Sequence, residues 1–300
     1  MSKDFLCIGE CMVEMAPDAT GGRFDLGFAG DTFNTAWYLK ALAPTAGVQY
    51  LTRVGQDDIS DRFLAFARAA GIGTDLIGRE ADRTLGLYLI SLQDGERSFA
   101  YWRGQSAARR LADDADTLAA ALAGAKVVYF SGITLGILTP EGRDTLFKAV
   151  ATARAAGAII AFDPNLRPRL WDSPTTMCDA IMQAAATSDI ALPSYDDEAQ
   201  YFGDANPLAT LARYQGVGVG TVIVKNGAQQ IVYSQNGTTG TIHIAPAERV
   251  VDSTAAGDSF NAGVLAALWA GQPIDQSILQ GSQVARRVIG GRGALVPLTN

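Results

Sequence analysis

Short apolar runs alternate with helical patterns through the second half of this 300-residue chain, and that alternation limits the fold more than any other feature. The runs occupy residues 127–130, 158–162, 189–192 and 221–224, and a helix is expected from about residue 140 to residue 155. Runs without a polar face indicate strands that are covered by helices on both sides. The sequence therefore predicts an α/β fold, an αβα three-layer sandwich with a largely parallel central sheet.

Polar side chains follow the predicted strands closely. Asp163, Ser194 and Lys225 each come within two residues of the end of an apolar run. Because parallel α/β sheets bind their ligands at the carboxyl ends of the strands, we expect these side chains to border a binding site.

The stretch from residue 251 to residue 260 has the features of an anion site. Ala255, Ala256 and Gly257 have almost no side chain, so an anion can approach their backbone N–H groups closely. A helix is expected to follow through residue 269, which would make these groups the unpaired donors of a helix N-terminus. Asp258, in the first turn, is placed as a catalytic base for phosphoryl transfer would be. Small residues in such a turn can also simply cap a helix, and this stretch alone leaves that alternative open.

A second turn, at residues 29–34, leads into a helix through residues 35–40. Helix capping alone would explain Asp31, which follows Gly30. Capping does not explain Asn34, one turn further along, and this residue is a candidate for ligand binding.

A hairpin is predicted around Asp94-Gly95, a dipeptide that favours a two-residue turn. In that register Tyr88 lies opposite Tyr101, and Gly86 lies opposite Arg103. Because side chains alternate along a strand, Tyr88, Tyr101 and Arg103 would share one face, which would suit a polar, anionic small molecule. An ordinary exposed strand face is the alternative.

The charge and composition exclude several classes of protein. The chain has 31 acidic and 24 basic side chains, a formal net charge of −7, which argues against nucleic acid as a partner. A single histidine and three cysteines without metal-type spacing make a zinc site or a Ser-His-Asp triad implausible. There is no G-x-x-x-x-G-K-[ST] segment, so a P-loop enzyme is excluded as well.

No linker, low-complexity tract or internal repeat divides the sequence. We therefore expect one domain over residues 1–300, with a small β lid made from about residues 11–29 and 84–103. The N-terminus lacks a signal-peptide core, and the longest uncharged stretch is too short and polar to span a bilayer. These features, with the unpaired cysteines, predict a cytoplasmic protein that does not bind membranes.

Residues 252–258, D-S-T-A-A-G-D, resemble the C-terminal signature of the PfkB, or ribokinase-like, family of sugar and nucleoside kinases. The family pattern is D-T-x-G-A-G-D, and Ala255 stands where the family often has glycine. The resemblance extends over nearly the whole chain and implies the ribokinase-like αβα fold with its small β-sheet lid.

Residues 30–34, G-D-T-F-N, look like the family's N-terminal substrate motif, although Asp31 departs from the common G-G-x-x-x-N. With residues 101–103, 163–171 and 225–227, this form is most similar to family members that phosphorylate 2-keto-3-deoxygluconate. The resemblance implies transfer of the γ-phosphoryl group of ATP, with Mg²⁺, to the 6-hydroxyl of that sugar acid.

The same resemblance implies a role for each site residue. Asp258 would be the catalytic base, beside Ala255, Ala256 and Gly257. Substrate contacts would come from Gly30, Asp31, Asn34, Tyr88, Tyr101, Trp102, Arg103, Arg167 and Asp258. Nucleotide contacts would come from Asn165, Arg167, Ser194, Lys225, Asn226, Gly227, Ala228 and Gly257.

Two points stay open. Residues 225–227 could be only a β-turn joining Val224 to Ile231. Ser194 replaces the asparagine of the family's N-x-x-E motif, with Asp197 or Glu198 at its acidic position, so the residue that holds the water shell of the metal is not identified. No dedicated metal cage is visible in the sequence.

Other functions remain as alternatives. They are kinases for the 4-epimer 2-keto-3-deoxygalactonate, for fructose or for ribose, and a non-catalytic sugar-binding sensor. Arg103 argues against the neutral sugars, and the retained Asp258 argues against the sensor. An open β lid exposes sheet edges and an apolar face, so we also expect a homo-oligomer assembled through the lid.

Overall fold

The computed structural model of the chain describes residues 2–18, 22–93 and 96–298. The strands in these residues are β1 (Phe5–Ile8), β2 (Met12–Pro17), β3 (Phe24–Ala29), β4 (Val48–Gly55), β5 (Ile77–Glu80), β6 (Gly86–Gln93), β7 (Glu96–Trp102), β8 (Val127–Ser131), β9 (Ile159–Asp163), β10 (Ile190–Ala191), β11 (Thr221–Val224), β12 (Ile231–Gln235) and β13 (Thr238–Ile242). The four apolar runs of the second half are thus confirmed as strands, although β10 is shorter than predicted.

The helices are α1 (Asp31–Leu42), α2 (Asp58–Ala69), α3 (Ala115–Leu122), α4 (Gly132–Ile137), α5 (Pro140–Ala155), α6 (Pro174–Ala186), α7 (Tyr195–Phe202), α8 (Pro207–Gly216), α9 (Ala256–Trp269) and α10 (Ile274–Val288). The helix predicted for residues 140–155 is α5. Thr139 caps it by accepting a hydrogen bond from the amide of Gly142, and Pro140 occupies its first turn, where no amide donor is needed.

The central sheet of the described residues has nine strands in the order β13-β12-β11-β10-β9-β8-β1-β4-β5. The neighbours from β11 through β5 pair in parallel, and β12 and β13 add an antiparallel edge. The carboxyl ends of the parallel strands therefore meet along one edge of the sheet, where the prediction placed the site.

Helices cover both faces of this sheet, as the αβα prediction requires. In β1, Phe5 and Cys7 point into a core shared with α1, α2, α9 and α10, whereas Leu6 and Ile8 point into a core shared with α3, α4, α5 and α6. All four side chains are fully buried. Both faces of the strand are apolar because each packs against helices.

Close helix packing fixes α9, the helix that follows the predicted anion site. Residues 258–267 are all buried. A Cβ added to Gly263 would lie 2.7 Å from the Cα of Gly281 in α10, so the two backbones approach more closely than larger residues would allow. The first turn of α9 thus belongs to a helix that is held firmly by its packing against α10.

A second sheet, of four strands in the order β3-β2-β6-β7, forms the predicted lid. Its hairpin register is confirmed, because Tyr88 lies opposite Tyr101 and Gln93 lies opposite Glu96. The predicted turn residues, Asp94 and Gly95, lie outside the described part of the chain. The parallel pairing of β2 with β6 joins the two halves of the lid.

No helix in the described ranges is both long enough and apolar enough to cross a membrane.

Candidate active site

A cavity of about 1070 Å³ lies between the lid and the carboxyl edge of the central sheet. Asp163 and Lys225 line it from the ends of strands β9 and β11, and Tyr88 and Tyr101 line it from the lid. The first residues of α9 close one end. The predicted residues that line this cavity are Gly30, Asp31, Asn34, Tyr88, Tyr101, Arg103, Asn165, Arg167, Ser194, Lys225, Ala255, Ala256, Gly257 and Asp258.

The turn before α9 has only part of the geometry expected of an anion-binding site. Ala255 is the N-cap and adopts a left-handed conformation with φ of 58°. The amide of Ala256 donates to the carbonyl of Ser253 at 3.2 Å, so this group is not unpaired as predicted. Among the described residues the amide of Gly257 has no partner, and it lies at the positive end of the helix dipole.

Asp258 is buried in the first turn of α9, 9% exposed, and accepts a hydrogen bond of 2.8 Å from Nδ2 of Asn34 in α1. Burial raises the pKa of Asp258, and the nearby charge of Asp31 raises it further, whereas Asn34 and Lys225 oppose the shift. A raised pKa makes this carboxylate a stronger base than an exposed aspartate.

Asp31 does not cap α1, because the N-cap is Gly30 and no side chain caps this helix. The Oδ2 atom of Asp31 instead accepts a hydrogen bond of 2.8 Å from Nδ2 of Asn165, which follows β9. Burial raises the pKa of Asp31, whereas hydrogen bonds from Ser131 and Asn165 lower it. Asn165 itself has a positive φ of 33°, so its backbone is held in an unusual conformation to make this contact.

Lys225 is held beside the first turn of α9 by a buried polar network. Its Nζ lies 3.3 Å from Oδ1 of Asp163 and 3.2 Å from Oδ1 of Asn261. Asn261 in turn donates to Asp163 at 2.7 Å and to the hydroxyl of Tyr129 at 3.0 Å. The network ties α9 to strands β8, β9 and β11.

The lid supplies Tyr88, Tyr101 and Arg103 from one face, as predicted. The hydroxyl of Tyr88 donates to Glu14, and Nη2 of Arg103 donates to Glu10. The guanidinium of Arg103 also lies 5.9 Å from the ring centroid of Tyr101. Two of the three groups expected to bind an anionic substrate, Tyr88 and Arg103, thus already have carboxylate partners from the protein.

Asp197 and Glu198, the two candidates for the acidic position of the N-x-x-E motif, point in different directions from helix α7. Asp197 lines the cavity and lies 3.7 Å from the guanidinium of Arg167. Glu198 is fully buried away from the cavity, where it accepts hydrogen bonds from Arg213 and Tyr214. Asp197 is therefore the residue that faces the site.

Four predicted residues are not brought to the cavity. Trp102 pairs with Leu87 on the opposite face of the lid from Tyr101 and is 60% exposed, because side chains alternate along β7. Asn226, Gly227 and Ala228 follow Lys225 but do not line the cavity, since the chain turns away toward β12. The tight turn that joins β11 to β12 is present there, as the alternative interpretation expected.

The structure adds residues to which the sequence analysis assigned no catalytic, substrate or nucleotide role. Asp163 and Arg169 line the cavity, and Asn261 and Tyr129 lie directly beneath it. Asp163 and Arg169 lie within residues 163–171, a segment that resembles the family. Membership of this segment could have indicated that both residues belong to the site. Asn261 lies one turn after Asp258 on α9, and no pattern marked it.

A buried carboxylate beside a helix N-terminus, with a lysine at its side and a lid above, defines a class of protein. It is an enzyme that transfers phosphoryl groups to a small molecule bound beneath the lid. Residues 2–300 match the pfkB family carbohydrate kinases, and the chain belongs to this family.

Individual relatives refine the comparison. The chain is 39% identical over 306 residues to a 2-dehydro-3-deoxygluconokinase from Dickeya dadantii (strain 3937), covering 99% of this chain and 98% of the relative. It is 37% identical to a 2-dehydro-3-deoxygluconokinase from Escherichia coli (strain K12), with the same coverage of both chains. A solved structure of a putative ribokinase II from E. coli, in complex with ATP and Mg²⁺, has a TM-score of 0.84 at 24% identity, covering 98% of this chain and 94% of that one. The last similarity confirms the ribokinase-like fold.

Proposed function

We propose that this carbohydrate kinase transfers the γ-phosphoryl group of ATP to the 6-hydroxyl of 2-keto-3-deoxygluconate, also called 2-dehydro-3-deoxygluconate. The observation that carries the proposal is the 39% identity, over 99% of the chain, to a kinase named for that substrate. The charged and polar side chains that line the cavity are also suited to this reaction.

Asp258 is the proposed base. It accepts the proton of the 6-hydroxyl while the hydroxyl oxygen bonds to the γ-phosphorus and the bond to the bridging oxygen of ADP breaks. Its raised pKa favours proton acceptance, and Asn34 holds the carboxylate in place through the 2.8 Å hydrogen bond. Both residues of the pair are buried, with exposed fractions of 4% for Asn34 and 9% for Asp258.

The nucleotide phosphates fit the end of the cavity formed by α9. The amide of Gly257, at the helix N-terminus, has no partner among the residues that the structure describes, and a Cβ added to Gly257 would lie 3.6 Å from Nζ of Lys225. A phosphate oxygen near Gly257 would thus be close to both a helix dipole and a lysine. Arg169, which has no ion pair among the described residues, lines the same cavity and adds a cation.

Magnesium fits the acidic side of this cavity. Asp163 and Asp197 both line it, and carboxylate oxygens are the protein ligands that Mg²⁺ accepts, directly or through water. When bound with ATP, the ion would neutralise charge on the β- and γ-phosphates. Asp197 stands at the acidic position of the N-x-x-E motif, in which Ser194 replaces the asparagine. It is our candidate for holding the water shell of the magnesium ion.

Residues of the lid, together with Arg167, form the part of the cavity that would bind the sugar acid. A sugar acid carries a carboxylate that fructose and ribose lack, and Arg103 and Arg167 present guanidinium groups to the cavity. Tyr101, 46% exposed, is available to contact the substrate. Tyr88 serves as a wall whose hydroxyl is oriented by Glu14.

Two alternatives remain within the same chemistry. The 4-epimer 2-keto-3-deoxygalactonate differs by the orientation of one hydroxyl and offers the same carboxylate to Arg103 and Arg167. Fructose and ribose are disfavoured because neither offers an anion to Arg103 and Arg167. A non-catalytic sensor is disfavoured because Asp258 and its partners are retained.

We propose in addition that the chain self-associates through the outer face of the lid. Phe24, Leu26 and Trp102 lie on this face, and their exposed fractions are 44%, 38% and 60%. The strand register places all three on the side opposite Tyr88 and Tyr101. A second copy of the chain would cover this apolar surface. We also propose a single domain over residues 1–300 and a cytoplasmic location. The three cysteines form no disulfide among the described residues, as is usual for proteins of a reducing compartment.

The product tests the proposed reaction. Wild-type protein, ATP, Mg²⁺ and 2-keto-3-deoxygluconate should yield ADP and one phosphorylated sugar acid, with phosphorus-to-proton coupling in the NMR spectrum assigning the phosphate to carbon 6. A phosphate at another carbon, or ADP release without a phosphorylated sugar, would overturn the proposal.

A further inference from the structure

Glu10 and Arg103 form an ion pair between the central sheet and the lid. Glu10 follows β1 by two residues, and Arg103 directly follows β7. The side chain of Glu10 is fully buried and that of Arg103 is 11% exposed. The pair is therefore a shielded contact between two sheets, unlike the exposed ion pairs that contribute little.

Gly86 makes the space for this pair. A Cβ added at residue 86 would lie 2.8 Å from Oε1 of Glu10 and 3.2 Å from the Cβ of Arg103. Residue 86 begins β6, where an extended backbone suits any residue, so the absence of a side chain serves the pair and not the backbone.

Within the part of the chain that the structure describes, two buried atoms of the pair have no hydrogen-bond partner, namely Oε1 of Glu10 and Nε of Arg103. These are the acceptor and the donor that a bidentate arginine–carboxylate contact would use in addition to the existing Nη2–Oε2 bond. Buried polar atoms without partners are rare in native structures and call for an explanation. Of that two-bond fork, only the Nη2–Oε2 bond is formed among the described residues.

We infer that Glu10 is a positioning residue that orients Arg103 of the lid toward the sugar-acid carboxylate. This inference rests on the proposed function. Glu10 holds one edge of the guanidinium against the rigid end of β1, and the ring of Tyr101 flanks it at 5.9 Å. Arg103 lines the cavity, so this anchor fixes how its guanidinium group meets a ligand there.

Steady-state kinetics of Glu10→Gln tests this inference. The variant keeps the shape of the side chain and removes its charge, and we expect the KM for 2-keto-3-deoxygluconate to rise about tenfold with kcat kept, as coupled polar networks typically show. In an Arg103→Ala background the same change should leave KM unaltered, because the oriented group is gone. Equal effects of Glu10→Gln in both backgrounds would overturn the inference.

Gly86→Ala provides a second variant that keeps both charges. Its methyl group enters the space beside Oε1 of Glu10, and it should reproduce the rise in KM. Glu80→Gln is the matched control, since Glu80 is a largely buried carboxylate paired with Arg53 and Arg110 outside the cavity. Its KM should remain that of the wild type even if its melting temperature falls.

The outcomes separate this inference from the proposed function. If Glu10→Gln and Gly86→Ala lower only the melting temperature while Arg103→Ala raises KM, Glu10 is merely structural and the proposed function stands. If the wild type does not phosphorylate the sugar acid at all, the proposed function fails and the inference falls with it.

Discussion

Nδ2 of Asn34 lies 2.8 Å from the carboxylate of Asp258, although the two residues are 224 positions apart in the chain. Asn34 is in α1, near the substrate end, and Asp258 is in the first turn of α9, beside the predicted phosphate site. The hydrogen bond therefore joins the two halves of the site at the atom proposed to accept the proton.

Replacing Asp258 by Asn should remove catalysis and retain binding. The amide keeps the size of the side chain but cannot take the proton, so we expect kcat to fall by about 10²–10⁴-fold, the usual contribution of a general base. Calorimetric titration with the sugar acid should give a Kd close to that of the wild type. Near-normal turnover would show that Asp258 is not the base.

The pH profile of kcat/KM should move in opposite directions in two variants. Asp31→Asn removes a negative charge that raises the pKa of Asp258, so the carboxylate ionises more readily and the acid limb shifts to lower pH. Asn34→Leu removes a hydrogen bond that lowers the pKa of Asp258, so the acid limb shifts to higher pH. Parallel shifts in both variants, or none, would contradict the assignment of this limb to Asp258.

Ala255→Gly should stabilise the protein. A left-handed conformation costs a residue with a Cβ about 1–2 kcal/mol, whereas the extra freedom of glycine in the unfolded chain costs about 0.4–1 kcal/mol. With φ of 58° at Ala255, we expect a net gain of about 0.5 kcal/mol in the free energy of unfolding by urea titration. Ala151→Gly, at an exposed position within α5, is the control and should lose about 0.5–1 kcal/mol.

The lid face offers a test of assembly. Light scattering at micromolar concentration should give the mass of a dimer or a larger oligomer, and Leu26→Lys should reduce it because a charge enters the proposed apolar contact. Leu208→Lys, at a residue of α8 that is 54% exposed, should leave the mass unchanged. A wild type that is monomeric under these conditions would exclude self-association through the lid.

Local patterns predicted those features that depend on neighbouring residues. The two-residue period of strands predicted the pairing of Tyr88 with Tyr101, and the small residues before Asp258 predicted the start of α9. The same period also explains why the assignment of Trp102 to the substrate site was not matched. Adjacent residues of a strand point to opposite faces, and the side chain of Trp102 points away from the face on which Tyr101 lines the cavity.

Contacts between distant segments were not predictable in this way. The ion pair of Glu10 with Arg103 joins residues 93 positions apart and depends on how the lid lies over the sheet. The choice between Asp197 and Glu198 depends on the rotation of α7, which the sequence motif left open. Long-range geometry of this kind arises only once both sheets are assembled.

The most direct test of the proposed function compares substrates. We would measure kcat/KM for 2-keto-3-deoxygluconate, its galacto-epimer, fructose and ribose with the wild type and with Arg103→Ala. Our proposal predicts that the wild type prefers a sugar acid and that Arg103→Ala loses most of this preference while its activity on neutral sugars changes little. A wild type that prefers fructose or ribose would contradict the proposed substrate class, even if Asp258 proved to be the base.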